Sequence, residues 1–281
     1  MSKVIVITGP TGVGKTDLSI KLAKKLNAEI INADSMQIFK EMNIGTNKIT
    51  EIERDGIIHH LIDIKELDDE YSVYDYQREG RLLIEDIIGR GKTVILVGGS
   101  GLYLSALLYD YEFNEESKEE ITISKEEMLK VLEENDISID KDNFRRIERA
   151  YQRYVHNAPL SKKGDNLLYD VNFIGLTMER ASLYERINTR VHKMIEKGLI
   201  EEVKALYKEY PHSKPLNTAI GYKEIISYLN EEISLDEAIK LIQKNTRNYA
   251  KRQYTWFNNK MNITWYDVND LDLKQLINDI K

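Results

Sequence analysis

The stretch GPTGVGKT, residues 9–16, decides the fold of this 281-residue chain. It matches the pattern G-x-x-x-x-G-K-[ST] and lies between an apolar run, KVIVITG, and a segment with leucines at helical spacing. A strand, a glycine-rich loop and a helix in this order are typical of a phosphate-binding loop, whose backbone N–H groups converge on phosphate oxygens. The motif leaves open whether the phosphate supplies energy, is transferred or is a leaving group.

This phosphate loop, residues 9–16, predicts a diphosphate or nucleotide site. Its lysine adds a positive charge, and the hydroxyl that follows it is suited to ligating Mg²⁺. We therefore expect Mg²⁺ as cofactor, with Thr16 as its protein ligand. The predicted phosphate-binding residues are Gly9, Pro10, Thr11, Gly12, Val13, Gly14, Lys15 and Thr16.

Strands and helices alternate through the first part of the chain. AEIINADS, HHLIDI and TVILVGGSGLY have strand character, and SVYDYQREGRLLIEDIIGRG has the periodicity of a helix. Such alternation is typical of a parallel sheet with helices on both faces. The predicted class is α/β, with a three-layer phosphate-loop core. Ligands of such sheets lie beyond the carboxyl ends of the strands, where the phosphate loop, Asp34 and residues 98–103 all fall.

Three regions follow from composition. Residues 1–111 form the first part of the core. Residues 112–140 carry 11 acidic residues and 3 lysines, which predicts a short acidic insertion, largely helical or mobile. Residues 141–281 contain four long helix candidates and a last strand candidate, NITWYDV, and are expected to complete the core.

Composition excludes several classes of protein. The chain has no cysteine, which rules out disulfides, cysteine-bound metals and thiol catalysis. No apolar run approaches the roughly 18 residues of a membrane span, and the N-terminus shows no secretory signal. We expect a cytoplasmic protein without a membrane partner. A net charge of -7 argues against nucleic-acid binding by the chain as a whole.

The charge is unevenly distributed, because residues 240–260 carry six basic residues and no acidic one. At 100° per residue, four of them share an arc of about 60° on one helix face, opposite an apolar stripe. This pattern is typical of a helix packed on the protein with its outer face toward RNA phosphates, or of a solvated lysine face. The four residues are Lys240, Lys244, Arg247 and Lys251.

The presence or absence of an acidic residue at the end of each strand near the phosphate loop restricts the possible reactions. A nucleotide hydrolase usually carries a metal-organising aspartate at the end of a neighbouring strand. The best candidate strand here ends in Gly98 and Gly99, which disfavours a hydrolytic motor. Asp34 ends the other strand, and its residue type suits either catalysis or a cap or surface turn.

Eight segments together, in this order, carry a resemblance that covers the chain to about Phe257. The chain resembles the tRNA dimethylallyltransferases, also called tRNA isopentenyltransferases. Within this resemblance Phe39 replaces a common tyrosine, Ser100 a threonine, and Arg145-Arg146 a Gln-Arg pair. The segments are GPTGVGKT, NADSMQIFKEMNIGTNK, HHLIDI, YSVYDYQRE, GGSGLY, LYERINTRVHKMIEKGLIEEV, AIGYKE and RNYAKRQYTWF.

The resemblance implies a reaction and its participants. Members of the family move a dimethylallyl group from dimethylallyl diphosphate to N6 of the adenosine 3′ of a tRNA anticodon. On this hypothesis the phosphate loop holds a leaving group, and Lys15, Thr16 and Lys223 surround the diphosphate. Asp34 is then the general base, and the insertion helps to grip the anticodon arm. The resemblance and the basic helix face together predict tRNA contacts at Asp34, Ser35, Met36, Gln37, Ser100, Arg145, Arg149, Lys240, Lys244, Arg247 and Lys251.

Three other classes stay open from the residues alone. A small-molecule or nucleotide kinase shares the core, but the mobile arginines that it needs cannot be assigned in this sequence. A nucleotide-driven motor or switch lacks the strand-end acid. A non-catalytic RNA-binding protein is disfavoured because Lys15, Thr16 and Asp34 are all present. We expect the protein to be a monomer.

Overall fold

The computed structural model of the chain describes residues 4–113, 123–142, 144–156 and 164–280. Six strands of this part form one sheet in the order β3-β2-β4-β1-β5-β6, and each neighbouring pair is parallel. The predicted α/β class with a parallel sheet is therefore confirmed. The strands are β1 (Val4–Thr8), β2 (Ala28–Asn32), β3 (His59–His60), β4 (Thr93–Val97), β5 (Val171–Thr177) and β6 (Thr264–Asp267).

Helices connect and cover these strands. Every residue of β1 and β2 is buried, so both faces of the sheet are covered there, as a parallel sheet requires. The helices are α1 (Lys15–Leu26), α2 (Glu51–Arg54), α3 (Val73–Gly89), α4 (Gly101–Leu108), α5 (Lys125–Glu134), α6 (Phe144–Val155), α7 (Arg180–Glu196), α8 (Leu199–Glu209), α9 (Lys214–Thr218), α10 (Tyr222–Leu229), α11 (Leu235–Lys260) and α12 (Leu273–Ile280).

Strand β5 is the main element that the sequence pattern did not predict. Its residues 171–175 pair with β1 and its residues 174–177 pair with β6, so it lies inside the sheet. Its sequence, VNFIGLT, contains an asparagine and a glycine that weaken the strand pattern. Gly175 is required by packing, because a Cβ there would lie 2.5 Å from the side chains of Ile263 and Trp265.

The chain forms two compact units, residues 109–166 and the remainder. In the smaller unit, α5 and α6 share an apolar cluster of Met128, Leu132, Ile147 and Ala150. The insertion in the structure therefore extends beyond the predicted residues 112–140, because α6 packs on α5 within this unit. Residues 114–122 of the predicted insertion lie outside the described residues.

The two ends of the smaller unit are tied together by backbone and side-chain hydrogen bonds. The carboxylate of Asp110 accepts hydrogen bonds from the backbone N and from Nδ2 of Asn166, at 2.9 and 2.8 Å. The backbone N of Asp110 donates in return to the carbonyl of Asn166 at 3.0 Å. The first and last residues of the smaller unit are therefore adjacent.

A buried carboxylate stabilises the amino-terminal side of β2. The side chain of Glu29 is 2% exposed and bonds Arg90, Lys92 at 2.8 Å and His60 at 2.7 Å. Hydrogen bonds from Arg90 above all, with those from Lys92 and His60, hold the pKa of Glu29 well below its ordinary value, although burial opposes this. Ionised Glu29 therefore joins β2 to β3 and to the residues before β4.

Replacing Glu29 is expected to destabilise the fold in a pH-dependent way. Glu29→Gln should lower the free energy of unfolding by about 1–3 kcal/mol at neutral pH, because charge-assisted hydrogen bonds are lost. The folded-state pKa is depressed, so this stabilisation is complete above the ordinary value of 4.5 and is lost as the pH falls toward the folded-state pKa. Urea unfolding at about pH 7 and about pH 3.5 should give a smaller difference at the lower pH.

The exposed Glu85 of α3 supplies the matched control. Glu85→Gln should change stability little at either pH. An equal loss for both variants, or a Glu29→Gln difference that grows toward acid, would contradict the assigned role of Glu29.

Candidate active site

The phosphate loop follows β1 directly and leads into α1. Gly9 has a φ of +133°, and a Cβ built there would lie 2.4 Å from the carbonyl oxygen of Leu176, so no side chain fits. Gly14 is the N-cap of α1, with a φ of 108°. The loop thus lies against β5 and presents a helix N-terminus, whose free N–H groups and dipole favour an anion.

Lys15 is positioned inside this loop. Its Nζ donates hydrogen bonds to the carbonyl oxygens of Gly9 and Pro10 at 3.0 and 2.9 Å. Burial lowers the pKa of Lys15 to about 8, with Asp34 opposing and Arg190 adding to the decrease. The ammonium group is therefore partly desolvated before any ligand binds, and a bound anion would favour its charged form.

Arg190 is a second cation at the loop, and the sequence motifs did not single it out. Its Nη1 donates to Oγ1 of Thr11 at 3.4 Å. Burial lowers the pKa of Arg190, while the nearby carboxylate of Asp34 opposes this. Arg190 reaches the loop because α7 packs beneath it, where a Cβ at Gly12 would lie 3.4 Å from the side chain of Ile187. The i, i+3 spacing from Ile187 was visible in the sequence, but the packing of this helix against the loop was not.

Asp34 lies two residues beyond β2. The buried side chain of Asn32 orients it, since Oδ1 accepts from the backbone N of Asp34 at 3.0 Å and Nδ2 donates to its carbonyl at 2.9 Å. One carboxylate oxygen, Oδ1, accepts from the backbone N of Met36 at 2.9 Å and so closes a turn. Within the described ranges no hydrogen bond reaches the other oxygen, Oδ2. The carboxylate therefore serves a turn and keeps one oxygen available.

Two tyrosines lie within electrostatic range of Asp34. Burial raises the pKa of Tyr103 to about 12, with Asp34 and Asp75 adding to the increase. Burial also raises the pKa of Tyr249, again with a contribution from Asp34. The ring of Tyr103 stacks on that of Tyr76, with 4.3 Å between centroids. Asp34 is thus accompanied by neutral aromatic side chains, which suit a planar, uncharged ligand.

The residues around Asp34 that were predicted to contact RNA are brought together. Residues 35–37 are half-buried, and Nε2 of Gln37 donates to the carbonyl of Thr46 at 3.2 Å. The backbone N of Ser100 donates to the carbonyl of Ala33 at 3.1 Å, which places Ser100 beside the start of this segment. The turn after β4 and the segment after β2 therefore form one surface.

Other predicted residues are not brought to the phosphate loop. Lys223 is exposed in α10, and its Nζ lies 3.9 Å from Oε1 of Glu224. Among the described residues, no contact joins Lys223 to the loop or to Asp34, so its place beside the diphosphate stays a prediction. Arg149 is exposed on α6 in the smaller unit. The side chain of Arg145 is not among those that the structure describes.

The basic face of α11 is exposed except at one residue. Lys240, Lys244 and Lys251 are exposed, as the periodicity predicted. Arg247 is half-buried, because its Nη1 donates to Oδ1 of Asn188 in α7 at 2.6 Å and its guanidinium lies 5.9 Å from the Tyr184 ring centroid. The helical periodicity did not predict this contact, because it describes one face of a helix without the neighbouring helices.

Of the predicted site residues, Lys251 alone lines a cavity of about 320 Å³. This cavity lies between the end of β5, the start of α7 and α11. The other lining residues are Thr177, Met178, Arg180, Leu183, Tyr184, Ala250, Tyr254, Thr255 and Asn258.

The described residues contain neither a cluster of metal ligands nor a membrane-spanning helix. Nowhere in residues 4–113, 123–142, 144–156 and 164–280 do three or more histidine or acidic side chains cluster as metal ligands do. Across the same residues, every helix is too short or too polar to cross a membrane.

Comparison with known proteins decides among the classes that the sequence left open. The family model described as IPP transferase matches residues 37–260, which begin after the phosphate loop. The chain belongs to the IPP transferase family. It is 47% identical to a tRNA dimethylallyltransferase of Bacillus mycoides, over 95% of this chain and 90% of that protein. It is 45% identical to a tRNA dimethylallyltransferase of Macrococcus caseolyticus, over 100% of this chain and 96% of that protein.

Solved structures of IPP transferases share the architecture. The tRNA isopentenylpyrophosphate transferase of Bacillus halodurans is 41% identical, with a TM-score of 0.78 over 100% of this chain and 94% of that chain. A eukaryotic dimethylallyltransferase described as acting on tRNA is 30% identical, with a TM-score of 0.81 over 100% of this chain and 79% of that chain. The resemblance read from eight sequence segments is confirmed.

The lowered pKa of Lys15 predicts that binding of inorganic pyrophosphate at the phosphate loop would depend on pH. Affinity for inorganic pyrophosphate should fall as the pH rises through about 8, because the free protein then loses the Lys15 charge. Lys15→Arg keeps its charge over this range, so its affinity should change less with pH than that of the wild type. Isothermal titration calorimetry from about pH 7 to about pH 9 at constant ionic strength compares the two proteins.

Pyrophosphate itself gains and loses protons in this pH range, but equally for both proteins. The ratio of the two affinities therefore reports only the protonation of Lys15. Parallel profiles for the wild type and Lys15→Arg would show that Lys15 keeps its proton throughout this range.

Proposed function

We propose that the chain transfers a dimethylallyl group from dimethylallyl diphosphate to N6 of the adenosine immediately 3′ of the anticodon in tRNA, with release of diphosphate. The observation that carries this proposal is the meeting of a phosphate loop, two cations and the carboxylate of Asp34 at one edge of the sheet. Membership of the family and the names of its relatives support the reaction class.

The phosphate loop suits a leaving group. As the allylic C–O bond breaks, negative charge grows on the bridging oxygen of the departing diphosphate. We propose that the backbone N–H groups at the start of α1 stabilise this charge together with Lys15 and Arg190, which both lie at the loop. Lys223 is proposed to add a further cation, as the family resemblance implies.

Asp34 suits the acceptor half of the reaction. The exocyclic amine of adenine is a weak nucleophile, and a proton leaves N6 as the new C–N bond forms. We assign this proton to Asp34, whose Oδ2 is available while Oδ1 is bonded to the backbone N of Met36. The neighbouring rings of Tyr103 and Tyr249 suit an adenine extruded from the anticodon loop.

Mg²⁺ fits the residues present. This ion typically takes one or two protein ligands and completes its shell with water and phosphate oxygens, so it needs no cluster of acidic side chains. The exposed hydroxyl of Thr16, at the start of α1, is the proposed protein ligand. When bound, the ion would help to neutralise the diphosphate.

The tRNA is proposed to contact several separate surfaces. Asp34, residues 35–37 and Ser100 surround the target base, and the exposed lysines of α11 bind backbone phosphates. Arg145 and Arg149 are proposed to contact the anticodon arm from α6. The remaining expectations of a monomeric, cytoplasmic enzyme are part of this proposal.

A direct assay tests the reaction. The purified protein is incubated with unmodified tRNA, Mg²⁺ and dimethylallyl diphosphate, and the digested RNA is analysed by mass spectrometry for N6-dimethylallyladenosine. Product is expected with this donor and not with ATP. Asp34→Asn keeps an acceptor for the backbone N of Met36 but cannot take the proton, so turnover should fall about 100-fold or more. Binding of tRNA should stay within about twofold, because the shape of the turn is kept.

Asp17→Asn is the matched control, since Asp17 is an exposed carboxylate in the first turn of α1. It should retain activity. If the wild-type protein forms no product but consumes ATP with a small acceptor, the proposed transferase reaction is wrong and the protein is a kinase. An Asp34→Asn protein that loses tRNA binding as strongly as turnover would remove the assignment of Asp34 as base.

The exposed lysines of α11 predict a salt effect. Changing Lys240, Lys244 and Lys251 together to Gln should reduce the slope of log K against log salt for tRNA by about 2, because roughly three phosphate contacts are lost. Arg247→Gln should change the slope less, since its guanidinium is bonded to Asn188. Fluorescence anisotropy at several salt concentrations measures the slopes.

A triple change of the exposed Lys21, Lys25 and Lys204 to Gln supplies the same loss of charge elsewhere on the larger unit. Equal slopes for the two triple variants would show that the basic face of α11 is a solvated surface that does not bind tRNA phosphates.

A further inference from the structure

Gln253 occupies a position that the proposed chemistry leaves unexplained. It is 5% exposed on α11, and its side chain contacts two loops that follow different strands. Oε1 accepts a hydrogen bond from the backbone N of Thr11 at 2.8 Å, and Nε2 donates to the carbonyl of Gly99 at 3.0 Å. A single amide thus joins the phosphate loop to the turn after β4.

The turn at Gly99 is shaped around this amide. A Cβ at Gly99 would lie 1.9 Å from Nε2 of Gln253, so any larger residue would displace it. The next residue, Ser100, donates from its backbone N to the carbonyl of Ala33, which precedes Asp34. Hydrogen bonds therefore run from the phosphate loop through Gln253 and the turn to the segment that carries Asp34.

Because of this hydrogen bond, the backbone N of Thr11 is bonded within the protein and is not available to an anion. Its N–H is directed to Gln253, and its hydroxyl accepts from Arg190. Thr11, which the motif included among the phosphate-binding residues, is on this geometry a support of the loop. The N–H groups nearer the start of α1 remain for the anion.

Opposite faces of α11 carry the exposed basic residues and the buried Gln253. Lys251 and Gln253 are two residues apart, so they project about 200° from each other around the helix. The lysine is exposed on the basic face, and the glutamine is buried against the loops. The helix proposed to bind tRNA phosphates is thus the helix that holds the donor loop.

We propose that Gln253 is a positioning residue, which sets the spacing between the diphosphate-binding loop and Asp34 by bonding both Thr11 and Gly99. The inference rests on the proposed function for the meaning of that spacing. Because reacting groups must be held within a fraction of an ångström, loss of the link is costly although Gln253 touches neither substrate.

Gln253→Met tests the link, because methionine has a similar length and makes neither hydrogen bond. The Km for dimethylallyl diphosphate and the Kd for inorganic pyrophosphate should each rise about tenfold, since the backbone N of Thr11 and the carbonyl of Gly99 lose their partner. The Kd for tRNA should stay within about twofold, because the lysines of α11 are unchanged. Gln243→Met, on the same helix but bonded to His192 and the carbonyl of Asn188, is the matched control and should retain donor affinity.

Pyrophosphate binding needs no tRNA, so this test remains valid if the wild type forms no prenylated product and the proposed function fails. Unchanged pyrophosphate affinity in Gln253→Met would overturn the proposal. Equal losses for donor and tRNA, with a melting temperature far below that of Gln243→Met, would also overturn it in favour of a general packing role.

Hydrogen exchange of the wild-type protein gives a second test that needs no variant. The Thr11 amide should be protected both with and without pyrophosphate, because its partner belongs to the protein. The amides of Gly12 and Gly14 should gain protection only when pyrophosphate binds. A Thr11 amide that exchanges as fast as these two in the free protein would overturn the proposal.

Discussion

Hydrogen bonds between the ends of β1, β4 and β2 bring three loops of separate sequence origin to one edge of the sheet. The backbone N of Gly98 donates to the carbonyl of Ile7, and Oγ1 of Thr8 donates to the carbonyl of Gly98. The backbone N of Ala33 donates to the carbonyl of Val97 at 2.7 Å. Because the strands are parallel, their carboxyl ends all lie here, and the proposed donor and acceptor sites depend on this alignment.

The glycines after β4 make this alignment possible. A Cβ at Gly98 would lie 2.1 Å from the carbonyl oxygen of Ala33, so the two strand ends could not approach with a side chain present. The sequence suggested these glycines as evidence against a hydrolytic motor, because they stand where a metal-organising acid is common. The structure adds a steric reason for Gly98, which is the close packing of the turn against Ala33, and another for Gly99, which is its contact with Gln253.

Two cations and one carboxylate lie near one another at this edge. Lys15 and Arg190 are both desolvated by the protein, and each is partly compensated by Asp34. A bound diphosphate would supply further negative charge to the cations and leave the carboxylate for the acceptor. In the proposed reaction this arrangement would stabilise the departing anion with groups already held in place, which would lower the reorganisation needed during reaction.

Sequence patterns determined the phosphate loop, the parallel α/β class, the position of Asp34 and the exposed lysines of α11, because each depends on local order along the chain. Residues such as Arg190 and Gln253 could not be assigned in this way. Their roles depend on which helix packs against which loop, and Thr11 and Gln253 are 242 residues apart in the chain. The extent of the insertion likewise depended on the packing of α6 against α5. The sequence alone therefore determined the chemical groups and the local elements that carry them, whereas only the tertiary structure decided which distant side chains hold those groups in place, because contacts between distant residues leave no periodic pattern.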